Sequence, residues 1–420
     1  MQRRFYLKVM RVVAMCLMVA GTTIGVAKAQ DTGTQIGVDD GGPDMRSVRI
    51  RMGPFYMNPR LELGNIGVDT NVFNEPDSQN PKEDFTFTLT PSIDVWMRAG
   101  RSWTKFTVSE DLVWYQKYSD QRSANEHYSL TFRLPLNRLA FSFSPSYVST
   151  NARPGFEIDE RVHHVDWGGT GTVEIRALSK TLFGVTGTYM NYSYDPNALY
   201  NGTDLASQLD RTETALGITV AHELTPLTRL SFNAGEEQAR FQHSPFRNSD
   251  STVAGVTASF DPHALLKGSA TFGYRDFRPA DPSLQKFSGF TAQGDLTYTL
   301  LGATRFQVQF KRDVEYSYQV DSPYYVQSGI NGSIAQQIFG PVDAVVRGGF
   351  ANLAYSDLAG TTVQYVNRVD HNYTYGGGLG YHFSNGLRVG FNVDYSERIT
   401  PDPLMQYHGL RYGASATYDF

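Results

Sequence analysis

The chain ends Leu410-Arg411-Tyr412-Gly413-Ala414-Ser415-Ala416-Thr417-Tyr418-Asp419-Phe420, and this stretch decides how the rest is read. Leu410, Tyr412, Ala414, Ala416, Tyr418 and Phe420 alternate with Arg411, Gly413, Ser415, Thr417 and Asp419. A period of two puts the first set on one face of a strand and the second on the other. One face is apolar and aromatic; the other is polar. A soluble edge strand carries such a pattern, and so does a strand with lipid on one side and water on the other. The remainder of the sequence separates the two.

At the other end, Arg3, Arg4, Lys8 and Arg11 precede an apolar run from Val12 to Val26, followed by Ala27-Lys28-Ala29. A basic start, a short apolar run and small residues before a cut make a secretory signal peptide over residues 1–29, cleaved near Ala29. Cys16, the only cysteine, lies inside it, so the mature chain has no disulfide, thiolate metal site or cysteine nucleophile. Residues 30–53 are rich in Asp and Gly, carry no period and read as a flexible periplasmic tail. That tail is too short to be a folded plug.

The net charge of −5 argues against a nucleic-acid partner. Mean hydropathy is −0.35, and no apolar run after Val26 is long enough for a membrane helix. Yet 13% of residues are aromatic and 39 are glycine. A membrane β-barrel has this balance, because only half of each strand faces lipid.

From Pro54 onward, strand-like segments are separated by breaks that are alternately tight and long. The tight ones include Arg98-Ala99-Gly100-Arg101, Pro135-Leu136-Asn137 and Leu301-Gly302-Ala303, with the Pro, Gly and Asn of short turns. The long ones are polar, as over 69–83, 150–160 and 195–210. Short periplasmic turns and longer outside loops sort in this way, whereas a sandwich has no reason to do so. Eight tight and nine long breaks predict about eighteen strands over residues 54–420. The fold expected is all-β: a transmembrane antiparallel up-and-down barrel in a Gram-negative outer membrane. Within it the terminal strand, with Tyr412, Tyr418 and Phe420, resembles the last strand of bacterial outer-membrane barrels, which the barrel assembly machinery reads.

Parity assigns the faces. Phe306, Val308 and Phe310 oppose Arg305, Gln307, Gln309 and Lys311; Leu387, Val389, Phe391 and Val393 oppose Arg388, Asn392 and Asp394. A polar inner face means a wet lumen, too wide at eighteen strands for side chains to fill. Asp94, Lys105, Asp111, Lys311 and Asp394 are expected to line it. Glu110, among Phe106, Val108, Leu112 and Trp114, breaks the pattern through either a bulge or an exit from the membrane.

A cation follows nearly every tight turn: Arg101, Arg138, Lys180, Arg229, Lys267, Arg305 and Arg388. On the lumen face they would form a ring at the periplasmic mouth that attracts anions. At the membrane border they would instead bind head groups, or pair with neighbours such as Asp94 and Glu174. Enzyme signals are weak. His163 and His164 are adjacent and so point to opposite faces. No histidine pair has metal-ligand helical spacing, and there is no Gly-x-Ser-x-Gly elbow. No catalytic residue, metal or cofactor is assigned.

The motifs Gly67-Val68-Asp69-Thr70-Asn71-Val72-Phe73, Leu89-Thr90-Pro91, Asn137-Arg138-Leu139 and Glu157-Ile158-Asp159-Glu160-Arg161 add a resemblance. They are similar to the outer-membrane porins of the beta-barrel porin 2 type, associated with bacterial exopolysaccharide gene clusters. The resemblance covers about the first third of the chain, together with its length and architecture. It implies a channel taking part in exopolysaccharide export, with outer-membrane lipid and periplasmic export components as partners; a lumen-facing ring of turn cations would make that an anionic polysaccharide. A general diffusion porin for small solutes and a structural or adhesive surface barrel are the alternatives. Trp96 and Tyr115 on the lumen face would favour sugar sliding, and membership of the interfacial aromatic belts would explain them equally. The absence of any break much longer than about fifteen residues disfavours an inward constriction loop.

Overall fold

The computed structural model describes residues 42–43, 45, 48–261, 264–358, 365–384 and 386–418. The expected signal peptide, its expected cleavage site and Phe420 lie outside them. Eighteen antiparallel strands, from Phe55–Asp69 to Tyr407–Tyr418, each pair with their neighbours in sequence, and the last returns to the first. Tyr418 faces Leu61 across this seam and Tyr412 faces Val68. Closure leaves none of these eighteen strands without a neighbour on either side, the condition for a sheet to stand in lipid. The strands run 12 to 17 residues. About 9–11 cross a bilayer, so most project beyond it.

The breaks fall where the sequence places them, tight at one end and long at the other. The seam needs a local device. Asn65 adopts a left-handed φ of 54°, and the pairing of Phe55–Asp69 slips around it with both neighbours. This bulge shifts the alternation by one, so that Gly67 meets Gly413 where the two backbones press together. The unstructured reading of residues 30–53 is corrected at its end: Ile50–Met52 forms a short strand on Phe55–Met57.

The apolar parity set points outward. Phe143, Phe183, Ile218, Phe232, Phe272 and Phe391 are all exposed large side chains, as lipid contact requires. The polar set points in, and the geometry proves it: arginines reach carboxylates two strands away, which only a concave face permits. Arg275 skips one strand to reach Asp313 at 2.7 Å, and Arg347 skips another to reach Asp394 at 2.6 Å. The strand skipped by Arg347, Val369–His382, has Gly376, Gly378 and Gly380 on its inner face, so nothing obstructs the crossing side chains. A Cβ at any of the three would collide with Asp394, Asn392 or Arg388. Glu110 faces outward in an unbroken ladder, which excludes a bulge there; the Tyr128 hydroxyl donates to it at 3.0 Å.

Candidate functional site

A channel's working site is its bore, and here loops from the long-loop end enter it. The segment between strands Leu139–Ala152 and Val162–Leu178 is apolar at alternate positions, Phe156 and Ile158, within an otherwise polar stretch. Phe156 packs on Tyr325, Leu353 and Tyr355. Those residues belong to the fourteenth and fifteenth strands, whereas the loop follows the fifth. Nine strands in eighteen is half the circumference, so the loop crosses the lumen to the far wall.

Three more loops meet it there. Ile158 shares a buried core with Tyr200, Leu205 and Leu209, with Tyr318 and with Met405. The short helix Leu205–Leu209 is started by Asp204, whose carboxylate accepts the amide of Ala206 at 3.2 Å. The result is a lid with its own apolar core, which lipid-facing strands cannot supply.

Charge latches the lid. The Arg398 guanidinium donates to Asp159 at 2.6 Å and to Asp370 at 2.5 Å, and Arg368 holds the same Asp370 at 2.7 Å. Glu157, at the tip, accepts from the Ser317 hydroxyl at 2.6 Å and the Tyr318 amide at 3.1 Å. Complete burial pushes the Glu157 carboxyl up to about 7, against the downward pull of those donors, Arg398 and Arg368. Burial also raises Asp159, with Arg398 pulling the other way. Arg247 donates to the carbonyls of Ser317 and Gln319, and burial lowers its pKa to about 10.

Below the lid, the wall divides into two kinds of surface. On one side an uncharged ladder runs from Thr219 to Asn233 (3.0 Å), from Asn233 to Thr257 (2.9 Å) and on to Thr271 (2.9 Å). On the other, acids and bases compensate one another. No group of three or more His, Cys, Asp or Glu fit to hold a metal occurs among the described residues.

Residues 43–420 match the family model described as "Putative beta-barrel porin 2". The chain belongs to the beta-barrel porin 2 family. This outer-membrane porin also aligns with solved barrels at low identity. OccAB4 of Acinetobacter baumannii is 9% identical, with 86% of this chain and 97% of that one covered and a TM-score of 0.44. OpdK of Pseudomonas aeruginosa is 9% identical, covering 87% and 98%, at 0.44. OccK2 (OpdF) of Pseudomonas aeruginosa, solved with glucuronate, is 10% identical, covering 87% and 98%, at 0.45. No curated protein matches the sequence.

In this porin the polar residues expected in the lumen are held by side-chain partners. Asp94 accepts from Thr107 and pairs with Lys105 at 3.2 Å. Asp111 takes the Thr90 hydroxyl at 2.7 Å, Lys311 pairs with Glu315, and Asp394 with Arg347. The seven turn cations do not behave alike. Arg229 is bound to Glu174, and Arg388 to Asp343 at 2.7 Å, so the neighbour-pairing alternative describes these two. Arg101 donates to Asn137 at 2.8 Å. Arg138, Lys267 and Arg305 make no ion pair or side-chain hydrogen bond among the described residues, and Lys180 faces Glu223 at longer range. Lys267 and Arg305 line one hollow of ≈ 360 Å³ with Thr297 and Thr299. The two aromatic candidates for sugar stacking are covered: Arg161 lies over Tyr115 at 5.3 Å, and Lys105 over Trp96 at 5.1 Å.

The lid was missed in the sequence. Length was the wrong test for a constriction loop, because nine residues suffice when other loops lean in to meet them. The signal that could have found it is the apolar pair Phe156 and Ile158 beside three acids in a supposedly solvated loop.

Proposed function

We propose that this protein is a lidded channel for small solutes, with a periplasmic mouth that favours anions. The observation that carries it is the crossing loop. A polymer being exported needs the whole bore at once, and the latched segment occupies it; a small solute needs only a path past it. Exopolysaccharide export, implied by the family resemblance, keeps one feature in its favour. The uncharged ladder from Thr219 to Thr271 offers hydroxyl and amide partners to a sugar chain. Export on this reading requires the lid to leave.

Liposomes carrying the folded protein separate the two. Small sugars and organic anions are expected to swell them, whereas oligosaccharides of several residues are not. Free passage of long oligosaccharides through the intact protein would sink the small-solute reading.

The anion preference has its own test. Exposed charges act over about 10 Å at roughly 0.1 M salt, and strands lie about 4.8 Å apart, so the fields overlap within two pairs, Arg138 with Lys180 and Lys267 with Arg305, each two strands apart. Replacing Arg138, Lys180, Lys267 and Arg305 together by Gln is expected to shift the reversal potential toward cation preference, less so at high salt. Adding Arg229→Gln and Arg388→Gln exposes Glu174 and Asp343 and should shift it further. A reversal potential unmoved by the quadruple change removes these residues from the permeation path.

A further inference from the structure

Ser149 and His163 lie diagonally on neighbouring strands, Ser149 paired with Val165 and His163 with Asn151. Both belong to the outward parity set of Tyr147 and Trp167, which are exposed. The Ser149 Oγ is 3.2 Å from His163 Nε2, and His163 Nδ1 is 2.7 Å from the Asp195 carboxylate. Asp195 opens the loop after the next strand, and its amide donates to the His163 carbonyl at 3.1 Å, fixing the carboxylate beside the ring. A carboxylate on Nδ1 keeps the proton there and leaves Nε2 to accept from the serine, the arrangement that activates a hydroxyl nucleophile. None of this belongs to the lumen.

Depth supplies the substrate. Just below the serine, Tyr128 stacks on Tyr147 with centroids 6.0 Å apart, and Trp167 sits 5.5 Å from Tyr189. Outward aromatic rings of this kind mark the boundary between membrane and water. The serine stands one outward position beyond Tyr147, at the level where outer-leaflet lipids carry their acyl esters. The His163 and Asp195 side chains are 37% and 56% exposed, open to a molecule arriving from that leaflet.

We propose that Ser149, His163 and Asp195 form a hydrolytic site that cleaves acyl esters of outer-leaflet lipids. The Ser149 oxygen bonds to the acyl carbon while its proton passes to His163 Nε2. His163 then returns that proton to the alcohol oxygen as the C–O bond breaks, releasing the deacylated lipid. Water repeats the sequence on the acyl-serine, freeing a fatty acid and restoring Ser149. Asn151, on the same face and directly across from His163, carries a side-chain amide that can meet the oxyanion, its backbone N–H being given to Asn125 Oδ1.

The ester chemistry is shared by glycerophospholipids and acylated saccharide lipids, so both are offered to the full-length protein in mixed vesicles, with fatty-acid release followed. A fluorophosphonate probe reports on the serine independently, by mass spectrometry of the modified peptide. The expected result is labelling at Ser149, lost in Ser149→Ala, and release from at least one of the two lipids, which identifies the source. His163→Asn and Asp195→Asn should lower release by roughly 10²–10⁴-fold, with heat-modifiable migration unchanged as the check on folding. Absence of both labelling and release in the folded wild type overturns the site, and labelling without release from either lipid overturns the lipid substrate. The channel reading is judged separately, by conductance.

Discussion

Excising Gly155–Glu160 and joining Pro154 to Arg161 through two glycines is expected to raise single-channel conductance several-fold and admit larger solutes. The barrel should survive, because its strands hold one another through backbone ladders that the loop does not enter. The lid should not. Phe156 leaves the Tyr325–Leu353–Tyr355 pocket, Ile158 leaves the shared core, and Asp159 leaves Arg398. Arg398 keeps Asp370, so the excision does not strand the Arg398 guanidinium, a defect that costs about 3–5 kcal/mol when one partner of a buried pair is removed. A milder variant, Asp159→Asn, should raise the frequency of openings without changing their full amplitude. If the excised protein is folded and conducts like the intact one, the crossing loop does not control the bore.

The same latch makes opening depend on pH. Glu157 is packed against Ser317 and Tyr318 of one loop, Arg368 of another, Arg247 from the turn after strand Thr228–Phe241, Arg398 and the rings of Tyr325 and Tyr355 on the wall, with Asp159 beside it on its own loop. In the docked lid its pKa lies near 7; released into water it returns to 4.5. The docked state therefore prefers the neutral acid. The resulting stabilisation is complete below about pH 4.5, declines as pH rises, and is gone above about 7. A tenfold difference in proton affinity is worth about 1.4 kcal/mol, so the lid equilibrium changes by two to three orders of magnitude, roughly 300-fold, across the window. Conductance in planar bilayers should thus rise from pH 4.5 to 7 and level off. Glu157→Gln should remain closed and lose the slope. A slope that persists in Glu157→Gln would assign the effect to other groups.

The architecture was legible because it rests on periodicity and on punctuation by turns. Both are local, and both are enforced by a single demand, that each strand show lipid one face and water the other. The assignment of Arg305, Lys311, Arg388 and Asp394 to the inner face follows from parity alone. What parity cannot give is which inner charges meet. Arg229 finds Glu174 across two intervening strands, a pairing fixed by barrel curvature and the emptiness of the wall between them. The lid was hidden for a related reason: its core draws on residues from Ile158 to Met405, and no stretch of sequence contains enough of them to betray it. Ser149, His163 and Asp195 are likewise spread over three strand ends, with spacings that match no linear motif.

The bare inner face of the strand Val369–His382 has a further consequence. Arg347, Asp394, Arg388 and Asp343 neutralise one another only because Gly376, Gly378 and Gly380 let them lie flat across it. Adding a methyl group there would introduce no charge, yet it would lift guanidinium and carboxylate apart and turn both toward the passing ion. The electrical character of this wall is thus written in residues that have none, and a comparison of related channels by their charged positions alone would overlook what sets it.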